Sequence, residues 1–356
     1  MKQALITIII ISTIISCKNT PPEPIIEYQQ SKGVFICNEG NYTYGNASLS
    51  FYEPEARSIQ NNVFYNANNF PLGDVCMSAA ITDTLAFLVV NNSGKIFVIN
   101  TNTFKHIATI SDLTSPRYIY FISNTKAYIT DLYNTNITVI NPQTFNKTGN
   151  IAIGNGTEQI TTFGTFAFVT GWSFNNKIYK INIDTDILTD SLTVTRQPNS
   201  IVIDRNNKLW VLSDGGFPGI PGGQDTAALT KIDAESFQIE KTFKFASLEP
   251  SPTQLTINAT KDTLFFINSA WSESADSYKG IYRMPVNSDN LPERSFIPQN
   301  EKLFYGLGID PANSDIYVSD AIDYIQKGIV YRYSSEGNII DSFKTDIIPS
   351  YFVFKK

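Results

Sequence analysis

The sequence contains one histidine, His106, and this limits the hydrolytic chemistry that its side chains can perform. A Ser-His-Asp triad, a Cys-His dyad and a zinc site built on histidines each need an imidazole beside their other members. His106 falls at the start of an outer-strand pattern, where we expect a surface residue. We therefore predict no catalytic residue of these classes.

Carboxylate and amide side chains offer a second chemistry, because Glu, Asn and Asp oxygens can together hold one calcium ion. The residues at suitable strand ends are Asp74, Glu158, Asn199 and either Asn38 or Glu39. The same residue types are also ordinary turn formers. This residue set resembles that of lactonases that hold one calcium ion, so a calcium-dependent, lactonase-like hydrolase is an outside alternative. We predict no metal site.

Two further segments look like ligand loops but lack essential residues. The segment "DTDILTD", residues 184–190, has no Gly and no closing Glu of an EF-hand loop, so it is interpreted as a turn between outer strands. The segment "SDGGFPGIPGGQD", residues 213–225, lacks the Gly-Lys-Ser/Thr of a phosphate loop and leads into no helix. We interpret it as an enlarged loop between strands that carries Phe217 and Ile220, where a pure spacer would carry only small residues.

The elements that must position these residues are short β-branched and aromatic runs separated by Asn, Asp, Gly and Ser. One unit, an apolar-aromatic-apolar strand followed by a polar turn, recurs seven times. The copies are "VFICN" at 34, "AFLVVN" at 86, "AYITD" at 127, "AFVTG" at 167, "LWVLSD" at 209, "LFFINS" at 264 and "IYVSD" at 316. The chain is therefore predicted to be all-β and periodic.

Each copy is followed by a second and a third strand and preceded by a fourth, as in "SPRYIYF" before "AYITD". Four antiparallel strands in roughly 40 to 50 residues are typical of a propeller blade. The first copy lacks a preceding strand, whereas the final "IPSYFVF" has nothing after it. We predict one domain over residues 33–356, a seven-bladed β-propeller in which the C-terminus supplies the inner strand of blade one.

Aromatic residues recur in the loop that directly follows each copy of the unit. Blade one carries "NEGNYTYGN", blade four "GWSFNN" and blade six "NSAWSESADSYK", whereas blade two keeps a minimal "NNSG" turn. The aromatic residues placed on one face in this way are Tyr42, Tyr44, Tyr133, Trp172, Phe174, Phe217, Trp271, Tyr278 and Tyr324.

The same propeller face receives the loops that lead into each inner strand. These loops contribute Phe70, Arg117, Gln159, Asn199, Gln254, Tyr305 and Tyr351. Exposed aromatics reduce solubility, so their convergence indicates a binding surface; the alternative is that they pack down on their own blades. Rings with amides and hydroxyls between them favour a large, flat, partly apolar ligand rich in amides or polyols.

The first residues differ from the rest of the chain. Lys2 and the apolar run that follows predict a signal peptide over residues 1–16, too short to span a membrane as a helix. The run ends directly at Cys17 and a Pro-rich stretch, which resembles a bacterial lipobox. We predict lipidation of Cys17 and a flexible tether over residues 17–32, with a plain signal peptide as the alternative.

Composition and cysteine usage narrow the remaining possibilities. The formal charge is −6 with no Lys/Arg cluster, so nucleic acid is not expected as a partner. Cys37 and Cys76 both lie in apolar strand patterns, where a free thiol packs as a small hydrophobe. Pairing in an oxidising envelope is the alternative.

The repeat resembles the YVTN/YncE-like seven-bladed propellers, most clearly in "FVINTNTFKHIATI" and "TVINPQTFNKTGNIAIG". With the lipobox, the segment "NEGNYTYGNASLSFYEPE" is similar to Bacteroidetes surface lipoproteins of the BtuG type. That resemblance implies a non-enzymatic receptor, lipid-anchored in the outer membrane and facing the exterior. It would need no cofactor of its own, bind cobalamin as cargo and pass it to a TonB-dependent transporter of the BtuB type. The alternative ligands are a siderophore, a glycan or a protein partner.

Overall fold

The computed structural model describes residues 32–272 and 279–356, and these residues form 28 short strands. The predicted signal peptide, Cys17, nearly all of the tether and Tyr278 lie outside the described residues.

Blades one to three use the first eleven strands. These are β1 Gly33–Asn38, β2 Ser48–Glu53, β3 Ser58–Gln60, β4 Cys76–Thr82, β5 Leu85–Val90, β6 Lys95–Asn100, β7 His106–Ile110, β8 Pro116–Ser123, β9 Lys126–Asp131, β10 Asn136–Ile140 and β11 Lys147–Ala152.

Blades four to seven, and the last strand of the ring, use the remainder. These are β12 Ile160–Phe163, β13 Phe166–Gly171, β14 Lys177–Asn182, β15 Ile187–Thr193, β16 Pro198–Ile203, β17 Lys208–Ser213, β18 Ala228–Asp233, β19 Gln238–Lys244, β20 Pro250–Ile257, β21 Thr263–Ala270, β22 Gly280–Pro285, β23 Ile297–Pro298, β24 Phe304–Ile309, β25 Ile316–Asp320, β26 Lys327–Tyr333, β27 Ile339–Ile347 and β28 Pro349–Lys355.

The strands assemble into seven four-stranded antiparallel sheets, which confirms the predicted fold class. Six sheets use consecutive strands, from β4–β7 in blade two to β24–β27 in blade seven. The seventh has the order β28-β1-β2-β3, so the C-terminal strand is the inner strand of blade one, as predicted. The pairing sets Val34 opposite Phe354 and Ile36 opposite Phe352. The two ends of the propeller domain are thereby joined by backbone hydrogen bonds.

Apolar side chains fill the wedges between neighbouring blades. Phe87 of blade two packs with Ile129 of blade three, and Phe168 of blade four packs with Val211 of blade five. At the closure, Tyr52 stacks on Phe343 of blade seven with ring centroids 4.0 Å apart. Every blade therefore depends on both of its neighbours for the burial of its faces.

The two cysteines lie in one of these wedges. Cys37 of β1 and Cys76 of β4 belong to the same core cluster, and both are buried free thiols. Each therefore packs as a small hydrophobe in the way the strand patterns predict.

Helices are minor elements of the described chain. A six-residue helix, α1 Val63–Asn68, lies between blades one and two, and a short 3-10 helix, Asn91–Ser93, forms the minimal turn of blade two. Within residues 32–272 and 279–356, no helix has the length and apolar composition to cross a membrane.

We predict that the ring depends on its terminal strand. Deletion of residues 350–356 removes nearly all of β28 and exposes Val34, Ile36 and Tyr317, so the midpoint of thermal unfolding should fall by more than ten degrees or the protein should aggregate. Deletion of Lys356 alone, which is exposed and lies outside β28, is the control. If the protein without residues 350–356 has the same melting temperature as the full chain, β28 is not required to close the ring.

Candidate functional site

Irregularities in the inner strands create the site. The pairing of the inner strand with its neighbour shifts register near its first residues in β4, β8, β16 and β24, and in the middle of β20. Such bulges bend a strand and redirect a side chain. The side chains at these shifts that face the centre of the ring are Met77, Arg117, Tyr118, Asn199, Gln254 and Tyr305.

These side chains surround a cavity of about 300 Å³ on the ring axis, which we call the central cavity. Glu39, Glu158 and Trp172 also line this cavity. Of the predicted binding residues, the central cavity gathers Arg117, Gln159, Trp172, Asn199, Gln254, Tyr305 and Tyr324.

An ion pair crosses from blade three to blade four at the cavity wall. Arg117 Nε and Nη2 donate to the two oxygens of Glu158 at 2.7 Å each, and both side chains are largely buried. Burial alone would lower the pKa of Arg117, but the Glu158 carboxylate more than offsets this and keeps it raised. The two charges therefore neutralise each other in a bidentate geometry.

Glu39 is the second carboxyl group of the cavity. It follows β1, and its Oε2 accepts a hydrogen bond from the Tyr305 hydroxyl at 3.1 Å. Burial raises the pKa of Glu39 from 4.5 to about 7, although the charge of Arg117 and the Tyr305 hydrogen bond act in the opposite direction. Near neutral pH this carboxyl group is therefore close to half protonated.

Two of the predicted amide side chains form hydrogen bonds between neighbouring blades. Gln159 of blade four accepts a hydrogen bond from the backbone N–H of Ile201 at 3.2 Å, and Asn199 donates to the Pro252 carbonyl at 2.9 Å. Trp172 similarly donates its indole N–H to Asp214 of blade five at 3.2 Å. These side chains line the cavity while also fixing the angle between blades.

Gln254 differs from the other predicted amides. Among the described residues its side chain makes no hydrogen bond, and it lines both the central cavity and a second, more apolar cavity below it. The backbone φ of Gln254 is 58°. Among the described strands, it is the only non-glycine residue whose φ lies in the left-handed region. A residue held in this conformation costs about 1–3 kcal/mol and such strain clusters at functional sites.

The lower cavity, of about 370 Å³, receives Tyr351. The sequence places this residue with the rim, but in the structure its ring packs against Tyr118 at 5.7 Å. Tyr118, Gln159 and Gln254 line both cavities and so form the partition between them.

Exposed aromatic side chains surround the mouth of the central cavity. We count the strands of a blade from its inner strand outwards. The loops from the second to the third strand, and those from the outer strand to the inner strand of the next blade, lie on one face of a propeller, here called the upper face. All exposed aromatic residues of the described chain lie in these connections, with Tyr44 78% and Tyr133 72% exposed. These rim aromatics are Tyr42, Tyr44, Tyr65, Tyr133, Phe174, Phe217, Trp271 and Tyr324.

Contacts between neighbouring loops link some of the rim aromatics. The Asn41 side-chain amide of blade one donates to the backbone carbonyl of Tyr324 at 2.6 Å, and the rings of Phe174 and Phe217 meet at 6.2 Å. Tyr324 also packs edge-on against Tyr305 at 5.7 Å, which links the rim to the central cavity. Tyr42, Tyr44, Tyr133, Phe217 and Trp271 remain on the rim, outside the cavity.

The other candidates from the sequence lie elsewhere. His106 begins β7 as predicted, but it is half-buried because its ring packs edge-on against Phe70 and Phe97. Asp74 accepts hydrogen bonds from Thr43 and Asn92 outside the central cavity. Among the described residues, no three His, Cys, Asp or Glu side chains converge on a potential metal site.

The remaining loop-like segments are ordinary connections. Residues 184–186 form the turn between β14 and β15. The Gly-rich loop connects β17 with β18, and Arg196 anchors it by donating to the Pro221 carbonyl at 2.9 Å.

Sequence reasoning missed Met77 and Tyr118 in the cavity wall, Asp214 as the hydrogen-bond partner of Trp172, and Tyr65 on the rim. Tyr65 lies on α1, a six-residue helix with too little periodicity to be read from the sequence. Met77 and Tyr118 reach the cavity wall because bulges redirect them. The "SPRYIYF" motif could have indicated Tyr118, because Arg117 and Tyr118 are adjacent at the start of the inner strand β8.

The Glu39 environment predicts a pH-dependent stability difference. The stability that Glu39 contributes is present below its ordinary pKa of 4.5 and is lost as pH rises through about 7, because the buried carboxylate must then ionise. Relative to wild type, Glu39→Gln should therefore gain on the order of 3 kcal/mol of unfolding free energy between about pH 4.5 and pH 8. Urea unfolding at both pH values measures this; a difference that does not change with pH would contradict the assignment.

The structure is similar to solved propellers of several unrelated activities. A quinonprotein alcohol dehydrogenase-like protein from Bacteroides thetaiotaomicron VPI-5482 is 14% identical, with a TM-score of 0.68, over 92% of this chain and 79% of that one. The periplasmic gluconolactonase PpgL from Pseudomonas aeruginosa is 9% identical, with a TM-score of 0.66, over 91% and 99%. Hydrazine synthase from Kuenenia stuttgartiensis is 12% identical, with a TM-score of 0.60, over 77% and 88%.

At these identities the similarity shows the fold alone. Curated protein sequences gave no significant match. One family model, described as a domain of unknown function, DUF5074, matches residues 32–355. Because that match spans the whole propeller, the protein belongs to the DUF5074 family.

Proposed function

We propose that this protein is a cell-surface receptor that captures cobalamin, or another large flat ligand of similar chemistry, on the upper face of its propeller. The observation that carries the proposal is the confinement of every exposed aromatic side chain of the described residues to that face. The outer strands expose only aliphatic residues of comparable size, such as Ile107, Ile187 and Ile239. A segregated aromatic surface of this kind is typical of an interaction site.

The dimensions favour a ligand that lies across the rim. A cavity of about 300 Å³ is at the lower end of pockets for small ligands, so a corrinoid cannot enter it as a whole. Three rim aromatics that each cover about 100 Å² of ligand would contribute roughly 7 kcal/mol before the costs of association. Tight capture then requires hydrogen bonds as well, and the amides and hydroxyls of the central cavity are suited to the amide-fringed edge of a corrin.

The proposed mechanism is reversible binding without chemistry. The one histidine of the sequence lies on β7, packed against Phe70 and Phe97, so the rim offers no imidazole to coordinate cobalt. Cargo held by stacking and hydrogen bonds alone can be released to a transporter. A calcium-dependent hydrolase is a weaker candidate, because Glu158 is already engaged by Arg117 and Asp74 lies outside the cavity.

The location completes the proposal. Lipidation of Cys17 would anchor the chain in the outer membrane, and the tether would let the propeller act as a lid over a TonB-dependent transporter of the BtuB type. These points rest on the lipobox-like sequence and on the resemblance to BtuG-type lipoproteins.

We predict that rim aromatics are required for binding and not for folding. Calorimetric titration of residues 18–356 with cyanocobalamin should give saturable binding. Tyr44→Ala and Tyr133→Ala should each weaken that binding about 5- to 30-fold, because each removes a stacking surface. The melting temperature should stay within a few degrees of wild type, since both rings are mostly exposed.

Ile187→Ala is the matched control, because it removes a mostly exposed apolar side chain from an outer strand. It should leave the affinity unchanged. The absence of heat and of retained visible absorbance after desalting would contradict the cobalamin proposal.

We also predict that Cys17 carries the lipid. Cells that express the full chain should incorporate labelled palmitate into it, and Cys17→Ser should abolish the label. Cys37→Ser and Cys76→Ser, which change buried core thiols, should retain it. A Cys17→Ser chain that is still labelled would contradict this assignment.

A further inference from the structure

We propose that the central cavity is a recognition subsite for a neutral planar hydrogen-bonding group, a primary carboxamide on an apolar stem, and that Gln254 is its principal partner. Its identification as one arm of the ligand on the rim rests on the proposed function. The chemistry of the subsite itself follows from the cavity alone.

The conformation of Gln254 is the first argument. The bulge between Thr253 and Thr256 and the left-handed φ of 58° turn this side chain towards the ring axis. Glycine would adopt that backbone without strain, so the position retains a side chain at an energetic cost. A side-chain amide has both donors and acceptors, and the Gln254 amide makes no hydrogen bond within the described residues. A carboxamide can pair with it through two complementary hydrogen bonds.

The charges around the cavity argue for a neutral group. The Arg117 guanidinium is bound in bidentate fashion by Glu158, so an anion could reach it only by breaking a largely buried ion pair. Glu39 is hydrogen-bonded by Tyr305, and its raised pKa leaves it mostly neutral below about pH 7. A cation would therefore find no free carboxylate in the wall under mildly acidic conditions. The cavity therefore favours neither an anion nor a cation.

The shape of the cavity argues for a planar group. The wall of the cavity includes three aromatic rings, those of Trp172, Tyr305 and Tyr324, beside its polar atoms. The volume of about 300 Å³ admits an arm of a larger ligand or a single aromatic amide. Below it, the partition of Tyr118, Gln159 and Gln254 stops the group at the depth of the Gln254 amide.

Three probes of the same shape and different charge test the subsite: benzamide, benzoate and benzamidine. We expect benzamide to bind at millimolar concentration and about tenfold more tightly than either charged probe, measured by ligand-observed NMR at about pH 6. Benzamide that fails to bind, or benzoate or benzamidine that binds as tightly, would overturn the proposal.

Gln254→Gly is the decisive variant, because it removes the amide and also relieves the left-handed backbone. It should fold with an unchanged or higher melting temperature and lose about tenfold in benzamide affinity. Gln254→Glu, which keeps the length of the side chain, should lose benzamide binding as well. Ile187→Ala, on the outer strand β15, should leave it unchanged. Unchanged benzamide binding by both Gln254 variants would overturn the proposal.

Titration of the same proteins with cyanocobalamin distinguishes the carboxamide subsite from the proposed cobalamin receptor. If wild type binds cyanocobalamin and Gln254→Gly weakens both ligands, the subsite holds an arm of the corrinoid. If wild type ignores cyanocobalamin and still prefers benzamide, the receptor proposal fails and the subsite stands. If cyanocobalamin binding is strong and indifferent to Gln254→Gly, the assignment of the subsite to that ligand is wrong.

Discussion

Closure of the ring is the constraint on which the rest of this molecule depends. Each blade buries its two faces only against its neighbours, so an open ring would leave two apolar faces in water. The antiparallel pairing of β28 with β1 prevents this by tying the last strand to the first. The stacked rings of Tyr52 and Phe343 and the burial of Tyr317 follow from the same closure. The centre of the ring is fixed by this arrangement.

The site arises because seven inner strands converge on one axis. Regular inner strands would leave an open channel along this axis. The bulges in these strands direct larger side chains into the channel. Side chains from different blades then meet and pair, as Arg117 does with Glu158 and Tyr305 with Glu39. The same contacts hold neighbouring blades at a fixed angle. Recognition and ring geometry therefore share residues, and Gln254 is notable because its amide serves no blade contact among the described residues.

The rim and the cavity differ in chemistry and so in the roles they can take. The rim offers exposed aromatic area, which gives affinity for any flat partly apolar ligand but little selectivity. The cavity offers a few oriented polar groups with nearly balanced charge, which give selectivity at one point of the ligand. The pairing of Glu39 with Tyr305 adds a group that changes protonation near neutral pH. A large ligand would meet both surfaces at once.

The sequence by itself determined the number of blades, the strand order within them, the C-terminal closure and the loops that carry aromatics. These features follow from local periodicity and turn residues, which repeat seven times. Only the tertiary structure decided which side chains meet. The Arg117–Glu158 pair, the Glu39–Tyr305 hydrogen bond and the descent of Tyr351 into the lower cavity depend on bulges and on contacts between blades. A bulge shifts a side chain by one register position, and the local sequence pattern does not report that shift.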